Sequence, residues 1–353
     1  MQRVPAFDAD QFRRDGFQVI ANVFSTDEID QLRRSVRQVI GTEPGITTRD
    51  LLSTPALRHI VLDDRMLRLA RQVLGAKPVY YGDSSANIGM GQASVWHKDN
   101  ADRNDASGPD FVGPYTVIRF GLYLQDHARF SGGVNLRRGS HIPRPGRDLH
   151  QGDTIYVASQ PGDVVMWPLT MTHAAKGVQL RWPRRMTVEP SPQPHLPGRL
   201  PKLADRLARR VGVSLDPLPG ALLCPPHPCR MAVFMDFAVR GPHLDRNLEF
   251  LKTREYMIEI WRNSDYDAEA LAALQGKDVE LYDYWSTIKD QPGLGKEDFY
   301  STDGYYCGKT QAQDPTAGAS PVARAQDWLL GKAADMLPFL AQRLRRSDGA
   351  LVR

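Results

Sequence analysis

His97-Lys98-Asp99 becomes a chelating pattern if it lies on a β-strand. Residues two apart on a strand point to the same face, so His97 and Asp99 can grip one metal ion while Lys98 turns away. A histidine from a second strand would complete a facial set of two imidazoles and one carboxylate, and the far-downstream His173 is the candidate. Such a set holds ferrous iron on one side and leaves the other side open for a co-substrate and O2. That arrangement suits oxidation. A His-x-Asp tripeptide alone is more often an ordinary surface or core pair, so the flanking elements decide its meaning.

Those elements are strands. Val79 to Ile88 has strand composition, and Gly89-Met90-Gly91 forms the turn into the segment that carries His97. Tyr115 to Gln125 is a second β-rich run, ending at Asp126-His127. Its alternation puts Ile118, Phe120, Leu122 and Leu124 on one face, suited to packing against helices, and Tyr115, Arg119, Tyr123 and Gln125 on the other. Asp83, Ser85 and Asn87 share a face in the same way. Tyr115, Arg119, Tyr123, Gln125, Asp83 and Asn87 are therefore the pocket candidates. A buried arginine needs an anion: Arg119 would meet an anionic ligand, or pair with Asp83 or Asp236.

Helices precede the strands. Phe7 to Phe17, Thr26 to Ile40 and Pro55 to Leu74 have helical patterns, and Ser25-Thr26-Asp27-Glu28 offers a cap ahead of the apolar stripe Ile29, Leu32, Val36 and Ile40. From Pro78 to Thr172 short strands alternate with Gly-rich turns, interrupted by a polar loop from Asn100 to Pro114. Helices followed by strands predict an α+β chain with a barrel braced by helices.

Composition bounds the function. The 353 residues are 41% hydrophobic and 24% charged, ordinary for one elaborated globular domain. A net charge of +4 without a clustered basic patch and interleaved aromatics argues against nucleic acid as a partner. No apolar signal core follows Met1 and no run is long enough to span a bilayer, so a cytoplasmic location is expected. Cys224, Cys229 and Cys307 make an odd set with no repeated pair spacing, which implies neither a disulfide framework nor a four-thiolate zinc site.

Three stretches in order make the chain similar to a known family. Phe12-Arg13-Arg14-Asp15-Gly16-Phe17-Gln18-Val19-Ile20 with Val23 to Ile29, Gly132-Gly133-Val134-Asn135-Leu136 with Gly139-Ser140-His141, and Pro161 to Trp167 leading to Thr172-His173 resemble the phytanoyl-CoA dioxygenase family. The resemblance, over roughly residues 7 to 250, implies a double-stranded β-helix, or jelly roll, that uses Fe(II), 2-oxoglutarate and O2. By position, His97, Asp99 and His173 match the family's iron ligands. In similar proteins the Gly-Ser-His turn shapes the barrel, so His141 is expected to be structural. His127, His150, His195, His227 and His243 lie in loop-like contexts without a carboxylate at ligand spacing and are expected to be solvated.

The far carboxylate of 2-oxoglutarate needs a fixed cation, for which the planar fork of arginine is best suited. The family places it at the start of the strand after the distal histidine. Arg184 and Arg185 stand at the customary distance, but their apolar run stops at Glu189-Pro190. Arg230 opens a fuller strand, Met231 to Ala238, and is the preferred anchor. The expected organisation is one elaborated oxygenase domain over 1–353. It comprises N-terminal helices in 1–77, barrel strands in 78–180, a Pro-rich insertion or lid in 181–229, a barrel strand and exit in 230–250, and a C-terminal helical extension in 251–353.

A small-molecule substrate follows, hydroxylated or otherwise oxidised at an unactivated C–H bond. Nothing resembles a site for the nucleotide part of coenzyme A, and the polar strand faces favour a natural-product or saccharide intermediate. Two other functions fit the same ligands: a jelly-roll metal-binding or sensory module without turnover, and a zinc hydrolase, although no adjacent Glu or His is placed as an obvious general base. Two basic amphipathic segments, Arg199 to Val211 and Trp328 to Arg346, are candidates for simple packing, a peripheral membrane contact or a dimer contact.

Overall fold

The computed structural model describes residues 7–89, 96–146, 148–179, 187–188, 227 and 229–296. Chain contacts divide the molecule at Cys307/Gly308, and every described residue belongs to the first unit. Arg184, Arg185, the segment Arg199 to Val211 and the terminal segment Trp328 to Arg346 lie outside the described residues.

The N-terminal helices form where their caps and stripes predict. Thr26–Ile40 starts at a reciprocal box in which the Ser25 amide donates to Glu28 Oε2 (2.7 Å) and the Glu28 amide to Ser25 Oγ (3.3 Å). Such a cap is worth about 1 kcal/mol, and it fixes the register in which Ile29, Leu32 and Val36 are buried. Helix Ala9–Asp15 is shorter than its pattern, because Gly16 turns left-handed (φ 80°) and closes it. A Cβ on Gly16 would lie 2.3 Å from His141 Nδ1. The Gly139 amide donates to the Asp15 carbonyl (2.9 Å), so two of the sequence landmarks touch one another. The third helical expectation resolves into Arg58–Val61 and Asp64–Leu74, broken where Asp63 caps the second helix.

Eleven strands follow among the described residues: β1 (Gln18–Ile20), β2 (Gly45–Ile46), β3 (Val79–Ile88), β4 (Val117–Tyr123), β5 (Gly133–Arg138), β6 (Asp153–Tyr156), β7 (Val164–Pro168), β8 (His173–Gln179), β9 (Thr187–Val188), β10 (Met231–Ala238) and β11 (Glu280–Leu281). They make a mixed α+β chain with two sheets. The larger has the order β1-β7-β4-β10-β3-β11, with β2 beside β3, and the smaller the order β6-β5-β8-β9.

Alternation along β4 divides the core in two. Ile118, Phe120, Leu122 and the following Leu124 join Ile29, Leu32, Val36, Met66 and Leu67 of the helices in one cluster. Tyr123 faces the other way, into a cluster with Val134, Leu136, Val165, Trp167 and Ala232, which draws on both sheets. The large sheet thus has helices on one face and the small sheet on the other. The space between the sheets holds the site.

Three expectations need adjustment. Inside the expected insertion 181–229, Thr187–Val188 pairs back onto β8, so the chain makes one more strand after His173 than its sequence suggests. The expected helical extension from 251 is interrupted after helix Ala268–Leu274. Gly276 takes φ 76°, and Glu280–Leu281 then adds to the edge of β3, with the Glu280 amide on the Pro78 carbonyl (2.9 Å). His127 is fully buried rather than solvated, because the chain after β4 turns inward and its ring meets Gln125 Nε2 at 2.7 Å. No helix among the described residues is long and apolar enough to cross a membrane.

Candidate metal centre

The candidate triad is built by backbone pairing. His97 and His173 form an isolated antiparallel bridge in which each amide donates to the other's carbonyl at 2.9 Å. Two residues on, the Asp99 amide donates to the Leu169 carbonyl (2.9 Å), so the His-x-Asp segment runs beside the connection from β7 to β8. Side chains of a strand alternate, and His97 and Asp99 therefore face the same space as His173. Their candidate ligand atoms all lie within 4.8 Å of one another. Asp99 Oδ1 is 3.5 Å from His97 Nε2, and Asp99 Oδ2 is 3.3 Å from His173 Nε2.

The surroundings fix how these atoms present themselves. His173 Nδ1 lies 3.0 Å from the Met171 carbonyl, which can only accept, so Nδ1 carries the proton and Nε2 keeps its lone pair for a metal. Both histidines are buried. Burial alone would raise the Asp99 carboxyl, but Arg119 and the two imidazoles outweigh it and hold it below the usual carboxylate range.

Lys98 points the opposite way and is 1% exposed. Its ammonium donates to the carbonyls of Ser140 (2.5 Å) and Thr170 (2.6 Å), while the Thr172 amide donates to Ser140 Oγ (2.9 Å). The Gly-Ser-His turn thereby holds both the strand bearing His97 and the loop that delivers His173. His141 stands apart from the metal cluster, its Nε2 3.1 Å from the Arg13 carbonyl. The reach of Lys98 to two carbonyls distant in the chain had no signature in the sequence.

The pocket candidates fall into two groups. Beside the triad, the Arg119 fork donates to both oxygens of Asp236 at 2.8 Å, its Nη1 donates to Asp99 Oδ2, and Asp83 Oδ2 is 3.6 Å from Nη2. Burial, with the neighbouring Asp236 charge, pushes the Asp83 carboxyl well up. A shift in the β3/β10 register between Met235 and Phe237 brings Asp83 here, at Gly82 with φ 83°. Tyr115 lies against His243, with ring centroids 4.8 Å apart and the planes tilted by 42°.

The second group surrounds Arg230. Its Nε donates to the Gly132 carbonyl (2.8 Å), its Nη1 lies 3.3 Å from Asn87 Oδ1, and its guanidinium carbon is 5.8 Å from the Tyr123 ring centre. Gln125 Oε1 accepts from the Met231 amide (2.8 Å), locking the residue after Arg230. Burial lowers the Arg230 pKa. Between the groups runs a series of aromatic contacts. Tyr123 meets Phe234 (5.8 Å between centroids), Phe234 meets Trp167 (6.5 Å), and Trp167 meets His173 (5.7 Å).

Residues 12–186 match the family model described as phytanoyl-CoA dioxygenase (PhyH). The ectoine dioxygenase of Bordetella parapertussis is 28% identical, over 51% of this chain and 73% of that protein; that of Bordetella bronchiseptica is 27% identical over the same shares. Among solved structures, HygX from Streptomyces hygroscopicus with nickel and 2-oxoglutarate bound has a TM-score of 0.43 at 16% identity, covering 67% of this chain and 88% of its own. AviO1 from Streptomyces viridochromogenes has a TM-score of 0.42 at 16% identity, covering 67% and 96%. The matched segment, just under half of the chain, contains His97, Asp99 and His173, and over it the chain is similar to the phytanoyl-CoA dioxygenase (PhyH) family.

Proposed function

We propose that the protein is an Fe(II)- and 2-oxoglutarate-dependent dioxygenase that hydroxylates, or otherwise oxidises, an unactivated C–H bond of a small molecule. The observation that carries this is the convergence of two buried imidazoles and one carboxylate on a common point, with His173 Nε2 left as an acceptor. Two nitrogen donors and one oxygen donor suit ferrous iron and leave positions for further ligands. With iron bound, 2-oxoglutarate and O2 supply the oxidising power, and succinate and CO2 are released.

The chain's own residues bind, orient and exclude water. His97, Asp99 and His173 would hold the iron. Arg230 is the anchor for the far carboxylate of 2-oxoglutarate. It stands immediately before β10, half-buried, where a charge-assisted pair is strong. Tyr123, Phe234 and Trp167 wall the path from that anchor to His173 and keep it dry, which strengthens electrostatic contacts inside. Strand orders β7-β4-β10-β3 and β6-β5-β8, with the His97 bridge beside β8, support a double-stranded β-helix.

The expected lid, 181–229, lies outside the described residues apart from 187–188, 227 and 229, and the location is read as cytoplasmic. The substrate is a polar small molecule, of natural-product or saccharide type, and relatives named for the small molecule ectoine accord with that size class. Oxygen uptake with stoichiometric succinate formation, screened over such compounds, tests the proposal. Turnover that survives His97→Ala would count heavily against it.

A further inference from the structure

We propose that Arg119 is a positioning residue of the metal centre: it clamps one carboxylate oxygen of Asp99, leaving the other as the oxygen offered to the ion. The proposal rests on the iron-centre reading above.

Arg119 of β4 stands directly opposite Asp236 of β10 in the sheet register. Its Nε and Nη2 bond the two Asp236 oxygens at 2.8 Å each, a bidentate contact that fixes the guanidinium plane. Because the fork is rigid, fixing one edge also fixes the direction of Nη1, which donates to Asp99 Oδ2. A pair serving only to neutralise Asp236 would be complete with the first two bonds. The third donor, aimed at the ligand, is the informative one.

Asp236 is anchored in turn. Tyr81 Oη approaches its Oδ2 at 3.5 Å, and Asn247 Nδ2 donates to Tyr81 Oη at 3.1 Å. Asn247 and Asp236 are both fully buried. A chain of polar contacts therefore runs from helix Pro242–Leu251 through Tyr81, Asp236 and Arg119 to the carboxylate of Asp99. At the near end, Oδ2 accepts from Arg119 and also lies 3.3 Å from His173 Nε2, whereas Oδ1 faces His97 Nε2 at 3.5 Å and has no guanidinium donor among the described residues. One donor oxygen from Asp99 leaves more of the metal's coordination sphere for a co-substrate than two would.

The test is anaerobic titration of the full chain with Co(II), following visible absorption. Two variants are compared with wild type. Arg119→Met with Asp236→Asn removes the clamp together with the carboxylate it would strand, and Asp236→Asn alone leaves the cation but loosens its anchor. Outer contacts to metal ligands typically contribute roughly 10- to 100-fold in affinity. The double variant should lose about that much and show an altered cobalt band, with Asp236→Asn shifted less in the same direction. Wild-type affinity and an unchanged band in either folded variant would overturn the clamp while leaving the iron-centre reading intact. Failure of wild type itself to bind cobalt, or binding unaffected by His97→Ala, would overturn both.

Discussion

His97 and His173 are joined through their main chains, each amide on the other's carbonyl at 2.9 Å, before either imidazole is considered. The ring centroids lie 4.2 Å apart as a consequence. The ligand set is thus an outcome of strand pairing, and the side chains can be removed without removing the bridge.

A first prediction follows from that separation. His97→Ala keeps both bridge hydrogen bonds and should remain folded, with a melting temperature close to wild type. Its iron affinity should fall by more than the roughly 10- to 100-fold that outer contacts contribute. Calorimetric titration with Fe(II) under anaerobic conditions, beside thermal unfolding, checks both halves.

Lys98 carries the opposite balance. Its ammonium satisfies two buried carbonyls, those of Ser140 and Thr170. Lys98→Met strands both acceptors and should destabilise the fold by about 2–3 kcal/mol, measured by denaturant unfolding. Metal binding by the folded fraction should weaken less than in His97→Ala.

Gly82 gives a test of the β3 irregularity. A side chain there faces a left-handed φ of 83° and a Cβ 3.0 Å from Tyr266 Oη. Gly82→Ala should cost at least about 1 kcal/mol in unfolding free energy. Because Asp83 follows directly, a displaced Asp83 should accompany the loss in a crystal structure of the variant.

The pairing of His97 with Asp99 on one face and most elements were legible because each rests on a short-range rule. Strand alternation placed His97 and Asp99 together, the Ser25/Glu28 box started its helix, and β4 sorted Phe120 outward and Tyr123 inward as its pattern required. What escaped depends on register between distant segments. Nothing local sets Asp236 opposite Arg119, so an ion pair and an anionic ligand looked equally suited to that arginine. His127 looked solvated because burial of a loop residue follows from where the chain turns, not from its neighbours in sequence.

His127 also supplies a pH prediction. Burial, aided by the nearby Arg230 and His227 charges, lowers its pKa from 6.5 to about 3. The unfolded chain binds a proton that the folded chain refuses, so this residue's contribution to stability is complete above pH 6.5 and is lost progressively as pH falls toward about 3. Relative to His127→Gln, wild type should lose unfolding free energy across that window, and denaturant melts at several pH values measure it.

Arg230 tests the co-substrate anchor. Arg230→Met should weaken 2-oxoglutarate binding by about 2–5 kcal/mol, the range for truncating one partner of a buried charged pair. Fe(II) affinity without 2-oxoglutarate should stay near wild type. Arg230→Lys should recover only part of the loss, since a point charge cannot reproduce the fork.

In the proposed function one iron ion and one molecule of 2-oxoglutarate meet at His97, Asp99 and His173. Visible absorption of the anaerobic Fe(II) protein on addition of 2-oxoglutarate reports that meeting. A new band should appear, saturate at one equivalent of iron and be absent in His97→Ala. No band in the iron-loaded wild type, or an identical band in His97→Ala, would rule the shared site out.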